Sequence, residues 1–140
     1  MKASNSTGNG RAASVDVDFA ELTVCLKRDP RVIAGVVFGS SRNGQVASGS
    51  DLDVAVLFEK PLSAKDFLTF YSDLCDQVPS VAAVGLTPLN QAHPILAFEA
   101  LNGRFLCVND REKMAAYFSL VCREYEDVMG NLEHQRHLVA

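Results

Sequence analysis

Residues 32–58, VIAGVVFGSSRNGQVASGSDLDVAVLF, hold two uninterrupted apolar runs, Val32 to Phe38 and Leu52 to Phe58. Each is rich in β-branched residues and short enough for a strand buried on both faces. The segment joining them is rich in Gly and Ser, and the second run opens with Asp51 and Asp53, one residue apart. A core strand that begins with two carboxylates facing a Gly-Ser turn demands a chemical reason, because like charges held together are costly unless water or a cation meets them.

The surrounding pattern predicts helices alternating with strands. Phe19, Leu22 and Leu26 recur at helical spacing, Asp18 with Glu21 resembles a capping box, and Asp29-Pro30 ends the run. Ser63 caps a second helix with the apolar stripe Phe67, Phe70, Tyr71, Leu74 and Val78, stopped by Pro79. Val81 to Leu86 reads as a third strand, His93-Pro94 opens a short helix through Ala100, and Arg104 to Val108 supplies a fourth strand. A last helix starts near Asp110 and carries Met114, Tyr117, Phe118, Val121, Tyr125 and Val128 inward until Gly130 loosens it. The first fourteen residues, MKASNSTGNGRAAS, are small and polar and predict a disordered tail ahead of one domain spanning 15–140.

Composition narrows the function classes. A chain of 140 residues, 48% hydrophobic, can bury one core. The net charge of -4 supplies no global basic field for a nucleic-acid backbone, so nucleic acid is not the expected ligand. Cys25, Cys75, Cys107 and Cys122 form no C-x-x-C pair and fall in apolar segments, which predicts buried thiols and a reducing cytoplasm. No apolar run approaches the roughly 18 residues of a membrane span.

Asp51 and Asp53 point to the same side of their strand, about 7 Å apart along it. Hard oxygen ligands with open positions suit Mg²⁺, which binds through one or two carboxylates plus substrate phosphates. Gly39-Ser40 complements them, since glycine lets a ligand approach the backbone and a turn entering a short helix aims N–H groups and a hydroxyl at an anion. Phosphate on one side and Mg²⁺ on the other make a nucleoside triphosphate site. Either piece alone would read as a solvated turn.

The joint spacing, Gly39-Ser40, ten residues, then Asp51-Leu52-Asp53 inside strand–turn–strand, resembles the signature of the DNA polymerase beta-like nucleotidyltransferase superfamily. The segment LNQAHPILAFEALNGRFLCVND, residues 89–110, further resembles the minimal nucleotidyltransferases found beside HEPN ribonuclease toxins. The resemblance implies an α+β fold, a mixed and mostly antiparallel sheet of about four strands flanked by helices, with a long C-terminal helix. It implies an antitoxin that transfers AMP from ATP to a tyrosine of a HEPN-type toxin, using Mg²⁺ or Mn²⁺, in a hetero-oligomer with that toxin. Asp51 and Asp53 would be the catalytic metal ligands, and Gly39, Ser40, Arg42 and Ser50 would meet the nucleotide.

One departure from the family pattern stands out. The third carboxylate of the superfamily falls, by its spacing to Leu89-Asn90, at Gly85, and no Asp or Glu occurs between Asp76 and Glu99. In a two-metal transfer that acid holds the ion activating the attacking oxygen. The alternative is therefore a catalytically weak or silent module that binds nucleotide or toxin and acts by occlusion. Remaining polar residues read as structural: Lys60 and Lys65 as solvated, His93 as a cap, His134 and His137 as part of a frayed tail, Tyr117 and Tyr125 as core.

Overall fold

The structure, a computed structural model, describes residues 14–47, 51–79, 81 and 83–139. Its elements are β1 (Ser14–Asp16), α1 (Ala20–Arg28), β2 (Val32–Phe38), β3 (Gln45–Ala47), β4 (Asp51–Phe58), α2 (Ala64–Asp76), β5 (Ala83–Pro88), α3 (Pro94–Leu101), β6 (Arg104–Val108) and α4 (Arg111–Val139). Four strands form the main sheet in the order β5-β4-β2-β6, with β4–β5 parallel and the other pairs antiparallel. The α+β mixed sheet and long C-terminal helix expected from the sequence are both present.

The central strands are buried on both faces because helices cover each. Leu52, Val54, Val56 and Phe58 of β4 pack with Leu22 and Leu26 of α1 and with Phe70 and Leu74 of α2. Ala55 and Leu57 pack on the other side with Ala97, Ala100 and Leu101 of α3 and Met114 and Val121 of α4. The strand period of two puts Asp51 and Asp53 on this second face, in line with Ala55 and Leu57. Side-chain caps fix the helix starts that position this layer. Ser63 accepts from the Asp66 amide at 3.2 Å, and His93 Nδ1 accepts from the Ile95 amide at 3.1 Å, so His93 is a cap as expected.

Asn90 locks the far end of β4 by accepting from the Phe58 amide at 3.0 Å and donating to its carbonyl at 2.7 Å. Tyr117 and Tyr125 are packing residues, the first donating to the Leu89 carbonyl at 2.7 Å and the second stacked on Phe98 with centroids 3.9 Å apart.

The structure differs from these expectations at five points. The third strand runs Ala83–Pro88 rather than 81–86, its register set by pairing with β4. Asp18 is not the α1 N-cap: Phe19 holds that position, and Asp18 accepts from the Ala20 amide at 2.9 Å. A two-stranded sheet, β1 with β3, was not anticipated, because each strand has only three residues. Ser14, assigned to the tail, opens β1, while residues 1–13 lie outside the described residues. Gly130 does not end the last helix, and α4 continues for 29 residues to Val139, carrying His134 and His137 as exposed helical positions. One internal Gly costs a helix only about 1 kcal/mol, which its neighbours tolerate.

Candidate active site

The site lies at the end of β2 and the beginning of β4. After Phe38 the chain enters a single 3-10 turn, Gly39–Ser41, with Gly39 at φ +76°, a conformation other residues adopt only at a cost. Phe38 pairs with Asp53 across the antiparallel ladder, so the glycine turn is brought beside the acidic pair. On the other flank, parallel pairing sets Ala83 beside Asp51 and Gly85 beside Asp53.

Asp53 therefore sits between two glycines. A β-carbon at Gly39 would lie 2.9 Å from its Oδ2, and one at Gly85 would lie 3.0 Å from its Oδ1. Both flanks of the carboxylate are kept open by missing side chains. Asp51 is exposed and Asp53 half-buried, while Ala55 and Leu57 on the same face pack against α3. Burial raises the Asp53 carboxyl above its ordinary range, reinforced by the charge of Asp51 and then of Glu99. Such a group gains by meeting a cation.

Glu99 was not singled out from the sequence. It is an exposed residue of α3 whose negative charge reaches Asp53. The signal that could have found it is the apolar face of α3, Ala97, Ala100 and Leu101, which orients the helix against the sheet face that carries the acids. The other expected site residues are placed as follows. Ser40 is exposed in the 3-10 turn, and Arg42 ends that turn, exposed, with its amide donating to the Gly39 carbonyl. Ser50 lies outside the described residues. Gly103, in the turn before β6, has room for no side chain, since a β-carbon would strike the Val37 carbonyl and lie 2.9 Å from the Phe38 β-carbon. That close approach fixes the end of β2 from which the Gly39 turn departs.

Two exposed or half-exposed carboxylates with open neighbours fit Mg²⁺, which keeps several waters and takes few protein ligands. Among the described residues no group of three His, Cys, Asp or Glu side chains could hold an ion. The donor set thus fits a metal shared with substrate oxygens rather than a closed protein cage.

A strand–glycine turn–strand unit with paired acids at the sheet end defines a nucleotidyltransferase. The chain belongs to the polymerase beta nucleotidyltransferase family, whose model matches residues 9–112. Its fold is similar to that of the MNT antitoxin crystallised with a tri-AMPylated HEPN toxin of Shewanella oneidensis, at TM-score 0.63 and 16% identity over 85% of this chain and 92% of the other. It is similar too to a chain of the MntA-HepT toxin-antitoxin complex, at TM-score 0.63 and 16% identity over 85% and 93%. A toxin-antitoxin structure with AMP-PNP matches at TM-score 0.61 and 19% identity over 86% and 94%. No curated protein matches by sequence. Among the described residues no helix is long and apolar enough to cross a membrane.

Proposed function

We propose that this protein is a Mg²⁺-dependent adenylyltransferase that acts in the cytoplasm as the antitoxin of a HEPN-type toxin, transferring AMP from ATP to a tyrosine of that partner. The observation that carries the reading is the Asp53 carboxylate held open between Gly39 and Gly85, with Asp51 beside it at the water-facing end of the sheet. Asp51 and Asp53 would hold Mg²⁺ or Mn²⁺, which when bound neutralises phosphate charge and orients the triphosphate. The amides of the Gly39 turn and the Ser40 hydroxyl would receive phosphate oxygens, with Arg42 and Ser50 flanking them. In the transfer the tyrosine oxygen forms a bond to the α-phosphorus, the bond from that phosphorus to the bridging oxygen breaks, and pyrophosphate leaves. The tyrosine proton passes to solvent or to an acceptor carboxylate.

A second reading rests on Gly85. The strand position directly beside Asp53 carries no acid, which favours a weak or silent module that binds nucleotide or toxin and acts by occlusion. One experiment separates the two. The protein is mixed with its HEPN partner, MgCl₂ and ATP labelled at the α-phosphate. Label on the partner, lost with Asp51→Ala plus Asp53→Ala and with EDTA, supports the transferase. Capture and silencing of the toxin without label supports occlusion.

A further inference from the structure

The strand order β5-β4-β2-β6 sets the acid pair, the glycine turn and an arginine side by side at one end of the sheet. Asp53 of β4 pairs with Phe38 of β2, the turn follows Phe38, and Arg104 opens β6 opposite Val37. Two strand spacings, about 10 Å, separate the row of Asp53 from the row of Arg104. The turn joins them. A β-carbon at Gly39 would lie 2.9 Å from Asp53 Oδ2, and one at Gly44 would lie 4.0 Å from Phe19 Cε2. On that same phenyl ring rests the Arg104 guanidinium, 5.1 Å from the centroid. The segment from Gly39 to Gly44 therefore crosses from the sheet face that carries the acids to the face covered by α1, where Phe19 and Val37 share a core. Arg104 is exposed, and among the described residues its side chain has no carboxylate partner.

We infer that Arg104 binds the terminal phosphates of the nucleoside triphosphate and meets the charge of the departing pyrophosphate. The inference rests on the nucleotidyltransferase reading and fixes which way the substrate lies in that site. In-line displacement puts the attacking and leaving oxygens on opposite sides of the α-phosphorus. Across the sheet end, Asp53 stands between those two sides. On the β5 side Gly85 leaves space beside Asp53 Oδ1, and the strand, AVGLTP, holds no cation. On the β2 and β6 side lie the amides of the glycine turn and the guanidinium. The acceptor oxygen thus enters over β5 and forms its bond to the α-phosphorus. The bond from that phosphorus to the bridging oxygen breaks, and its electron pair leaves with pyrophosphate toward β2 and β6. Negative charge grows on the leaving oxygens as the bond breaks, so a cation placed there acts most strongly in the transition state. A guanidinium presents a planar fork of N–H donors that fits two phosphate oxygens. Moving from the Phe19 ring to phosphate exchanges a weak exposed cation–π contact for charge-assisted hydrogen bonds.

Isothermal titration of the full chain with ATP, inorganic pyrophosphate and AMP, each in MgCl₂, tests this. Arg104→Gln should weaken ATP and pyrophosphate binding roughly 10- to 100-fold, the range for a lost charge-assisted hydrogen bond. It should leave AMP binding unaltered. Arg104→Lys should recover part of the loss, since it keeps the charge without the fork. Arg111→Gln removes an equal charge beyond the other end of β6 and should change none of the three affinities. Circular dichroism confirms that each variant stays folded. Equal losses for AMP and ATP overturn the inference, because Arg104 would then act on the fold of the site and not on the terminal phosphates. ATP binding that is lost with Asp51→Ala plus Asp53→Ala but indifferent to Arg104→Gln overturns the inference and leaves the proposed function standing. A parent chain that binds no ATP in MgCl₂ overturns both.

Discussion

Gly85 lies directly beside Asp53 across the parallel β4–β5 pair, and a β-carbon at position 85 would stand 3.0 Å from Asp53 Oδ1. The glycine is thus both the place where a third acid is missing and the reason that Asp53 keeps its position. Gly85→Asp sets a third carboxylate against Asp53, whose carboxyl is already raised by burial and then by the charge of Asp51. Without metal the variant should be less stable than the parent by about 1–2 kcal/mol. Saturating Mg²⁺ should recover most of the loss, because the three acids then share a cation. Urea denaturation with and without MgCl₂ measures this. Gly85→Ala, which adds the contact without the charge, should show a smaller loss and no extra recovery with Mg²⁺.

Glu99 lends negative charge to the site from α3 without belonging to the strand motif. Replacing it by Gln should weaken Mg²⁺–ATP binding by roughly 2- to 5-fold, the range that 0.5–1 kcal/mol for an exposed charge implies. Isothermal titration of ATP at fixed MgCl₂ reads the change. An exposed acid at the start of α4, Glu112, serves as the control, and Glu112→Gln should leave the affinity unaltered.

How far the site was legible from the sequence follows from what each residue depends on. That Gly39 and Asp53 come together was legible because their juxtaposition is local: a strand period of two, a glycine turn and one pair of strands connected in sequence. Gly85 could be placed because β5 follows β4 after one helix, although its strand begins two residues later than the apolar pattern suggests. Glu99 carries no motif of its own and is reached only through the apolar face of α3, whose packing on the sheet brings its charge toward Asp53. The β1–β3 pair escaped for a different reason. Three-residue strands carry no readable period, and their pairing, Val15 with Val46, is set by the return of the chain around the glycine turn. The helical course of α4 beyond Gly130 is not legible because glycine is the usual residue just past a helix end, and one internal glycine looks the same in sequence.

Tyr117 links the α4 helix to the segment after β5. Its hydroxyl donates to the Leu89 carbonyl at 2.7 Å, and burial, with a smaller effect of Glu124, pushes its pKa up to about 12. The folded pKa lies above the unfolded value near 10, so the native state holds this proton more tightly. The stabilisation is full below pH 10 and is lost as pH rises from 10 through 12. An absorbance titration at 295 nm should show this tyrosine ionising late, together with unfolding. Tyr117→Phe should cost about 1 kcal/mol at pH 7 through the lost hydrogen bond, and its stability should fall less steeply between pH 10 and 12 than that of the parent.

The distal part of α4 gives the most direct test of helix physics in this chain. Residues 129–138 are all exposed, so this stretch holds its shape with little packing from its own domain. Isolated helical segments of this length are marginal in water, and Gly130 is an entropic weak point within it. A β-carbon at Gly130 would meet nothing within 4 Å. Gly130→Ala should therefore add up to about 1 kcal/mol of local helix stability with no steric penalty. The gain should appear as slower amide exchange at residues 127–138 and a stronger signal at 222 nm. Exchange in the β2–β4 core should be unchanged, because the helix end is remote from the sheet and its opening is local. Gly130→Pro, which removes a backbone donor and clashes with the preceding turn, should do the reverse and fray the helix from that point onward. Equal exchange rates in the Ala variant and the parent would overturn the assignment of Gly130 as the weak point of the distal helix.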